Sequence, residues 1–337
     1  MECELCPRRC RLKDGQRGFC FVRRRQGEAV VLAAYGRSTG FFVDPIEKKP
    51  LFHFLPGTAG VSFGAAGCNL RCRFCENWAL SRTTNPDWLS HEASPEKIAA
   101  RAEELGLSSV ALTYNEPLVS FEMGLDVADA CRARGVAAVA ISSGYATAEA
   151  ARAFYSRMDA VCIGLKGFTE DGYAAHAAAR MAPVLRTLEL IRRETRAWLE
   201  LSVVLVPGTS PPAEVARRCA WIREALGADV PLHVLPFHPS FELAALPPTP
   251  AEEARRVRAI AMGEGLRHVY IQGEPNASDT RCTSCGEVVI ARDAGAAPAV
   301  QLRDGRCDRC GAPLAGRFGR GSGACSGEKW EPSRWCG

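Results

Sequence analysis

The most specific chemical signal in this sequence is a set of three cysteines on one short loop. Cys68, Cys72 and Cys75 have the spacing CxxxCxxC within GCNLRCRFCENW, directly after a β-rich apolar run at 61–67. Three thiolates on such a loop can bind three irons of a [4Fe–4S] cubane, for which four cysteines are the usual requirement. The fourth iron is then open to a substrate or cofactor. A zinc site completed by a distant residue is the alternative, although zinc sites usually use paired CxxC knuckles.

Two further groups of cysteines have the spacing of metal ligands. CxxC…CxxC near the C-terminus predicts a zinc ribbon, which is structural because four thiolates leave no open position on the metal. An auxiliary iron–sulfur cluster is the minority interpretation of this set, which consists of Cys282, Cys285, Cys307 and Cys310. The N-terminal set is less specific, and zinc, an auxiliary cluster and no metal all stay open for Cys3, Cys6, Cys10 and Cys20.

Composition and charge exclude several classes of protein. The 337 residues include 42 Lys and Arg against 38 Asp and Glu, a net charge of +4 that excludes a histone-like polycation or an acidic tail. The start MECELCPRRC lacks the apolar stretch of a secretory signal, and no apolar run approaches the ~18 residues of a membrane span. We therefore expect a cytoplasmic protein whose 16 cysteines stay reduced.

The elements that must position the cysteine loop alternate between strands and helices. Short apolar runs predict strands at 61–67, 108–115, 136–144, 160–167, 198–208, 230–237 and 268–273. Helices are predicted at about 94–105, 118–134, 147–157, 181–196, 212–226 and 250–264. Apolar strands separated by helices form parallel sheets covered on both faces, with the active site at the carboxyl ends of the strands. We predict an α/β fold, a partial (β/α)6 barrel of the TIM type.

Composition shifts divide the chain into four predicted parts. An N-terminal Cys-rich segment covers 1–45 and the barrel covers 46–276. A zinc-ribbon-like module follows at 277–320, and 321–337 form a tail rich in Gly and Ser. The first segment and the ribbon have few apolar residues, so a bound metal or docking onto the barrel must order them.

Taken together, these features resemble the radical SAM superfamily. Its motif is CxxxCxΦC with an aromatic residue at Φ, where this chain has Phe74. Within the superfamily the chain resembles the pyruvate formate-lyase activating enzyme group. Within that group it most resembles the radical SAM member of the AmmeMemoRadiSam system. The segments that carry this closer resemblance are CELCPRRCRL…GQRGFC, KKPLFHFLPG, TYNEP, LPFHP and VYI…TRCTSCG.

The resemblance implies both the cofactors and the reaction. The open iron would bind the amino and carboxylate groups of S-adenosylmethionine (SAM). An electron from the cluster would cleave SAM to methionine and a 5′-deoxyadenosyl radical, which abstracts hydrogen from a substrate. By analogy the substrate is a peptide or protein, and we expect a small reductant protein of the flavodoxin or ferredoxin type as partner.

The resemblance also implies which side chains contact SAM. In TYNEP, Glu116 would accept the methionine ammonium, a charge-assisted bond, and Lys166 in GLKG would bind the carboxylate. For each residue of this set a purely structural role is the alternative, such as stabilising a turn, capping a helix or forming part of the core. The full set is Phe74, Asn115, Glu116, Ser142, Ser143, Lys166 and His238.

Three departures from the family pattern leave other functions open. Gly164 replaces an Asp expected to bind the ribose, Glu76 replaces a Gln, and VYIQG replaces VYIGN. One alternative is a catalytically inactive metal-binding scaffold, which the loss at Gly164 supports. Another is an RNA-modifying radical SAM enzyme that uses the ribbon and the basic N-terminus, although the near-neutral net charge argues against nucleic acid as a partner.

Overall fold

One open, mostly parallel sheet organises the chain. The computed structural model describes residues 1–84, 89, 91–274, 276–292 and 297–319, and the backbone of 334–335. The predicted tail at 321–337 therefore lies outside the described residues, apart from Arg334–Trp335. Within the described ranges, no helix has the length and apolarity needed to cross a bilayer. The cytoplasmic location stays a prediction.

The N-terminal segment folds against the sheet and contributes its first strand. Its strands are β1 (Arg23–Gln26), β2 (Ala29–Leu32), β3 (Arg37–Ser38) and β4 (Phe41–Pro45). β1 and β2 form an antiparallel hairpin, whereas β4 pairs with the first parallel strand of the main sheet. The sheet thus begins inside the segment predicted as 1–45.

The predicted seven strands and six intervening helices are confirmed. The strands that follow are β5 (Ala59–Phe63), β6 (His91–Glu92), β7 (Ser109–Leu112), β8 (Ala137–Ser142), β9 (Ala160–Leu165), β10 (Trp198–Leu205), β11 (Leu232–Pro236) and β12 (Val269–Ile271). The helices are α1 (Trp78–Ser81), α2 (Pro95–Glu104), α3 (Phe121–Arg132), α4 (Ala148–Tyr155), α5 (Glu170–Ala177), α6 (Ala182–Glu194), α7 (Pro212–Leu226) and α8 (Ala251–Gly263). Only β6 lies outside the main sheet, where it pairs with β3.

The sheet order confirms a partial barrel. The strands run β12-β11-β10-β9-β8-β7-β5-β4 from one side of the sheet to the other, and β5 and β7 to β12 are parallel. Completely buried strand residues such as Val161, Leu201 and Val234 form the core between strands and helices. Because all the parallel strands point the same way, their carboxyl ends share one rim.

Capping residues explain where several helices begin. The Ser94 side chain accepts a hydrogen bond from the Lys97 N–H at 3.3 Å, and Pro95 occupies the first helical position of α2. Thr169 caps α5 in the same way, by accepting from the Gly172 N–H at 2.9 Å. The sequence did not predict α5, because this short helix contains an internal glycine and follows GLKG without a clear apolar periodicity.

The C-terminal ribbon packs against the amino ends of the barrel strands. It consists of β13 (Thr280–Arg281), β14 (Val288–Ala291), β15 (Ala299–Val300), β16 (Leu302–Arg303) and β17 (Arg306–Cys307). The Arg292 guanidinium donates to the Phe52 carbonyl at 2.6 Å and to the Thr280 hydroxyl at 2.8 Å. The segment 51–57 therefore lies between barrel and ribbon. A last strand, β18 (Arg334–Trp335), pairs antiparallel with β4.

A buried hydrogen-bond network closes this end of the barrel. Glu200 accepts the backbone N–H groups of Phe52 and His53 at 3.0 and 2.8 Å and contacts His233 Nε2 at 2.7 Å. His53 in turn contacts the Tyr270 hydroxyl at 2.6 Å. His233 is thus a satisfied core histidine, as the sequence predicts for an inward position in a strand.

Candidate active site at the carboxyl ends of the strands

The three-cysteine loop forms one wall of the large cleft at the carboxyl ends of the strands. Cys68, Cys72 and Cys75 all line this cleft, whose volume is about 890 Å³. The Leu70 N–H donates to Cys68 Sγ at 3.4 Å, and Cys75 Sγ lies 3.3 Å from the Ser81 hydroxyl. The loop follows β5, so the first parallel strand delivers the thiols to the rim that the fold predicts.

Asn115 fixes the backbone that leads into this loop. Its amide nitrogen donates to the carbonyls of Ala66 and Gly67 at 3.3 and 2.8 Å, and its oxygen accepts the Ala65 N–H at 3.1 Å. Gly67 has φ +81°, and a Cβ there would lie 2.1 Å from the Cys20 carbonyl oxygen. The structure therefore places Asn115 as a support for the cysteine loop.

The environment of the loop favours the protonated thiols of Cys68 and Cys72 until a metal binds. Burial raises the pKa of Cys72 to about 11, although the nearby Lys166 ammonium opposes the shift. Burial also raises the pKa of Cys68, and the Glu116 carboxylate adds to the shift. Because the thiolate is the form that binds metal, iron binding here must release protons.

Glu116 lies at the floor of the cleft with all its oxygens engaged. It is 2% exposed, and the Leu118 N–H and the Ser142 hydroxyl donate to Oε1 at 3.0 and 2.7 Å. The Ser143 N–H and hydroxyl donate to Oε2 at 2.7 and 2.6 Å. The structure thus brings together Glu116, Ser142 and Ser143, which the sequence places on neighbouring strand ends. Four donors already fill the ~4 acceptor positions of a carboxylate.

Lys166 supplies a positive charge between the cysteines and the end of β9. It lines the cleft, and within the described residues its ammonium has no ion-pair partner. A Cβ at Gly164 would lie 3.0 Å from Lys166 Nζ and 3.5 Å from the Ser202 hydroxyl. Ser202 pairs in register with Gly164 across β9 and β10 and also lines the cleft. A hydroxyl therefore lies beside the position where the family pattern has a carboxylate.

Two of the sequence-predicted cofactor residues are not among those that line the cleft. Phe74 is 7% exposed and packs against Val206, Phe237 and Leu243 behind the loop. His238 follows β11 but is exposed, and its ring is not part of the described cleft wall. Phe74 supports the loop from behind, whereas nothing in the described residues brings His238 to the site.

A polar wall that the sequence did not identify lies across the cleft, next to β4. Asp44 contacts the Lys49 ammonium at 2.8 Å and the Lys48 ammonium at 3.3 Å, and the Tyr114 hydroxyl donates to Asp44 at 3.0 Å. Tyr114 has φ +68°, an uncommon backbone conformation for a non-glycine residue. Lys48, Lys49 and Tyr114 belong to KKPLFHFLPG and TYNEP, which carried only the family resemblance, and Asp44 lies in neither segment.

The ribbon cysteines form a compact tetrad far along the chain from this cleft. Cys282 Sγ lies 3.6 Å from Cys310 Sγ, and Cys285 Sγ lies 3.8 Å from Cys307 Sγ. Burial opposes ionisation of Cys282, but N–H groups of its own knuckle lower its pKa to about 7. A tetrahedral metal with M–S bonds of ~2.3 Å separates its thiolates by ~3.8 Å. This group could hold a metal ion.

Comparison with known proteins identifies the family. The family model of the radical SAM superfamily matches residues 64–215, which contain the cysteine loop, Glu116, both serines and Lys166. The chain belongs to the radical SAM superfamily. This radical SAM protein is also 35% identical over 316 residues to the uncharacterised protein MJ0808 of Methanocaldococcus jannaschii, covering 92% of this chain and 94% of that one. The assignment to the activating enzyme group and to the AmmeMemoRadiSam subgroup stays a prediction.

Solved structures share the fold. A radical SAM methyltransferase from Sphaerobacter thermophilus superposes with a TM-score of 0.51 at 16% identity, over 65% of this chain and 67% of that one. SuiB from Streptococcus suis superposes with a TM-score of 0.51 at 13% identity, over 68% of this chain and 52% of that one. The match of residues 64–215 to the radical SAM family model supports an enzyme, and a radical SAM domain implies SAM and a [4Fe–4S] cluster as cofactors.

Proposed function

We propose that this radical SAM enzyme cleaves SAM reductively in the cleft and abstracts hydrogen from a peptide or protein segment. The observation that supports the first part is that three cysteines, a buried carboxylate and an ammonium with no ion-pair partner in the described part of the chain line one cavity. Cys68, Cys72 and Cys75 would hold the cluster, and their donor set fits a cubane with one open iron. When bound and reduced, the cluster would supply the one-electron chemistry needed for reductive cleavage of the SAM sulfonium.

The residues around the cluster loop would hold SAM by its charged groups. The Lys166 ammonium is free to bind a carboxylate, and the Glu116 carboxylate is suited to an ammonium. Because Glu116 already accepts four hydrogen bonds, an ammonium must displace the hydroxyl of Ser142 or Ser143. The displaced hydroxyl is then free to donate to the ligand. The Ser202 hydroxyl would contact the ribose in place of the carboxylate that Gly164 lacks.

The substrate would enter from the side of β4. Asp44 pairs with both Lys48 and Lys49, so only a small positive charge remains along that wall and it does not select for a strongly charged ligand. β4 also lies next to the cleft and accepts the extended backbone of Arg334–Trp335 as an antiparallel neighbour. An extended peptide that displaces Arg334–Trp335 can use the same main-chain pairing beside the cleft. SuiB, which shares the fold, has been solved with its precursor peptide SuiA bound.

The structure disfavours the RNA-modifying alternative. Two of the N-terminal arginines on which that hypothesis rests are engaged by acidic partners: Arg9 contacts Glu2 and Glu4, and the buried Arg23 pairs with Glu122. A basic surface that binds phosphates needs guanidinium groups available to them. The inactive-scaffold alternative loses its main support as well, because Lys166 remains in the cleft and Ser202 places a hydroxyl beside Gly164.

The decisive experiment for the substrate class follows hydrogen into the SAM product. Reconstituted enzyme, unlabelled SAM and reductant are incubated with an extract of cells grown in deuterated medium, and deuterium in 5′-deoxyadenosine is measured by mass spectrometry. Our proposal predicts deuterium incorporation that protease treatment of the extract abolishes and nuclease treatment does not. Incorporation that is sensitive to nuclease alone would instead establish the RNA-modifying function.

A further inference from the structure

The four N-terminal cysteines come together in one pocket between the N-terminal segment and the barrel. The four are Cys3, Cys6, Cys10 and Cys20, and all of them line this pocket. Its barrel side includes Asn69 of the cysteine loop and Leu118 and Val119 after TYNEP. Cys3 and Cys20 are buried, and Cys6 and Cys10 are half-buried. The segment thus folds so as to gather four sulfur ligands, none of which forms a disulfide.

Backbone N–H groups point at three of these sulfur atoms. The donors are Phe19 for Cys10, at 3.4 Å, Arg8 for Cys6, and Val22 and Arg23 for Cys20. Such bonds stabilise the charged thiolate more than the neutral thiol, and hydrogen bonds to the sulfurs are a usual feature of iron–sulfur sites. The Cys68 loop shows the same feature in its Leu70 N–H. The pocket therefore presents backbone donors to its sulfur atoms, as iron–sulfur sites do.

A buried guanidinium faces the same thiols. Arg23 lines the pocket and is 5% exposed. Glu122 and the Val30 carbonyl accept from its terminal nitrogens, but its buried Nε has no partner within the described residues. An unpartnered buried donor beside four sulfur ligands indicates that an anionic group completes this site.

The distances between the sulfur atoms distinguish a cluster site from a zinc site. In the ribbon, opposite sulfur atoms lie 3.6 and 3.8 Å apart, as a single tetrahedral ion requires. Across the described residues, only the ribbon brings three or more such ligand atoms within 4.8 Å of one another. Neither the N-terminal thiols nor those of Cys68, Cys72 and Cys75 meet that limit. A cubane needs wider spacing because each thiolate binds a different iron at a different corner.

We propose that Cys3, Cys6, Cys10 and Cys20 bind a second [4Fe–4S] cluster, with the release of their thiol protons. Four thiolates leave no iron open, so this cluster binds no SAM and is suited to carrying electrons. It would lie beside the first site, because the Cys20 carbonyl abuts Gly67, the residue before Cys68. The Arg71 guanidinium also joins the two segments by donating to the Phe19 carbonyl at 3.0 Å.

The test measures metal rather than activity, so it is independent of the proposed SAM chemistry. The full-length triple variant Cys68→Ala/Cys72→Ala/Cys75→Ala is reconstituted anaerobically with ⁵⁷Fe and sulfide. We expect ~4 iron and ~4 sulfide to remain per chain, with the Mössbauer spectrum of a [4Fe–4S] cluster. Loss of all iron, or zinc rising to ~2 per chain through occupancy of this pocket, would overturn the proposal.

Two further samples control for misfolding: a variant that lacks two of the N-terminal cysteines, and the unaltered protein. Cys6→Ala/Cys10→Ala should retain only ~4 iron, whereas the unaltered chain and a control Cys219→Ala should hold ~8. Cys219 is a completely buried core cysteine far along the chain from the pocket. If the variants fail to fold, the unaltered chain alone decides the question. An iron content that saturates at ~4 per unaltered chain would contradict a second cluster.

Discussion

Ser143 donates two hydrogen bonds to the Glu116 carboxylate, one from its backbone N–H at 2.7 Å and one from its hydroxyl at 2.6 Å. The two residues follow different strands, β7 and β8, which are hydrogen-bonded neighbours in the sheet. The pair thus couples two adjacent strand ends at the floor of the cleft. It also gives Glu116 a donor that can be exchanged for a ligand ammonium without leaving a buried charge unpaired.

Glu116→Gln should weaken SAM binding to the reconstituted enzyme. Loss of a charge-assisted hydrogen bond costs ~1.5–3 kcal/mol, which corresponds to a ~10- to 100-fold increase in Kd. Isothermal titration calorimetry under anaerobic conditions measures the change. The matched control is Glu76→Gln, because Glu76 is an exposed carboxylate at the same cleft. Equal affinities of unaltered enzyme and Glu116→Gln would remove Glu116 from the SAM site.

Ser202→Ala should affect the nucleoside half of SAM alone. A neutral hydrogen bond contributes ~0.5–1.5 kcal/mol, so we expect a ~3- to 10-fold weaker binding of 5′-deoxyadenosine. Methionine should bind as before, since Ser202 lies beside Gly164, the position assigned to the ribose. Titration of each product separately checks this. Methionine affinity that falls in parallel with the nucleoside would place Ser202 elsewhere in the site.

Cys310→Ala should release zinc from the ribbon and destabilise the barrel. Zinc analysis should show a loss of ~1 ion per chain, because three thiolates bind a structural zinc less well than four. Arg292 connects the ribbon to Phe52 of segment 51–57, so the melting temperature should also fall by several degrees. Cys219→Ala serves as the cysteine control for zinc content. Unchanged zinc in Cys310→Ala would show that the tetrad does not bind this metal.

His53 should make the protein less stable in acid. Burial lowers its pKa to about 3 from its ordinary value of 6.5, so the folded state keeps the ring neutral. Below pH ~6.5 the unfolded chain binds a proton that the folded chain does not, and the free energy of unfolding falls by up to ~1.4 kcal/mol per pH unit. The loss continues until the pH approaches 3.

Urea unfolding between pH 7.5 and 5 measures this slope. His53→Gln keeps an amide group that can replace the contacts to Ala315 and Tyr270, which the ring makes at 2.6 Å each. The variant should be less stable at pH 7.5, but its free energy of unfolding should depend less steeply on pH. The difference in slope should correspond to the uptake of about one proton. Parallel slopes for the variant and the unaltered protein would mean that His53 is protonated in the folded state.

The sequence predicted the fold well because its strands are continuous apolar runs. Val110, Val161, Leu201 and Val234 are buried on strands flanked by helices, and such runs indicate a parallel sheet without any long-range information. The cysteine loop could also be found from the sequence, because its three ligands lie close together in the chain. Local spacing and strand order together place the thiols at the correct rim.

The remainder of the site depends on contacts between distant segments. Asn115 supports a backbone some fifty positions earlier, and Asp44 meets Tyr114 across the cleft, which no local pattern encodes. Ser202 lies beside Gly164 only because β9 and β10 pair in that register. His238 shows a second difficulty. Its motif predicts a position at the end of a strand, but a motif does not determine the direction in which a side chain points.

The measurement that tests the central claim most directly is SAM cleavage by the reconstituted enzyme. The protein is loaded anaerobically with iron and sulfide, reduced and mixed with SAM, and 5′-deoxyadenosine is quantified by chromatography. We predict product from the unaltered enzyme and from Cys219→Ala, and none above background from Cys72→Ala. Equal product from Cys72→Ala would contradict the assignment of the cluster to the loop, and with it the proposed chemistry of the cleft.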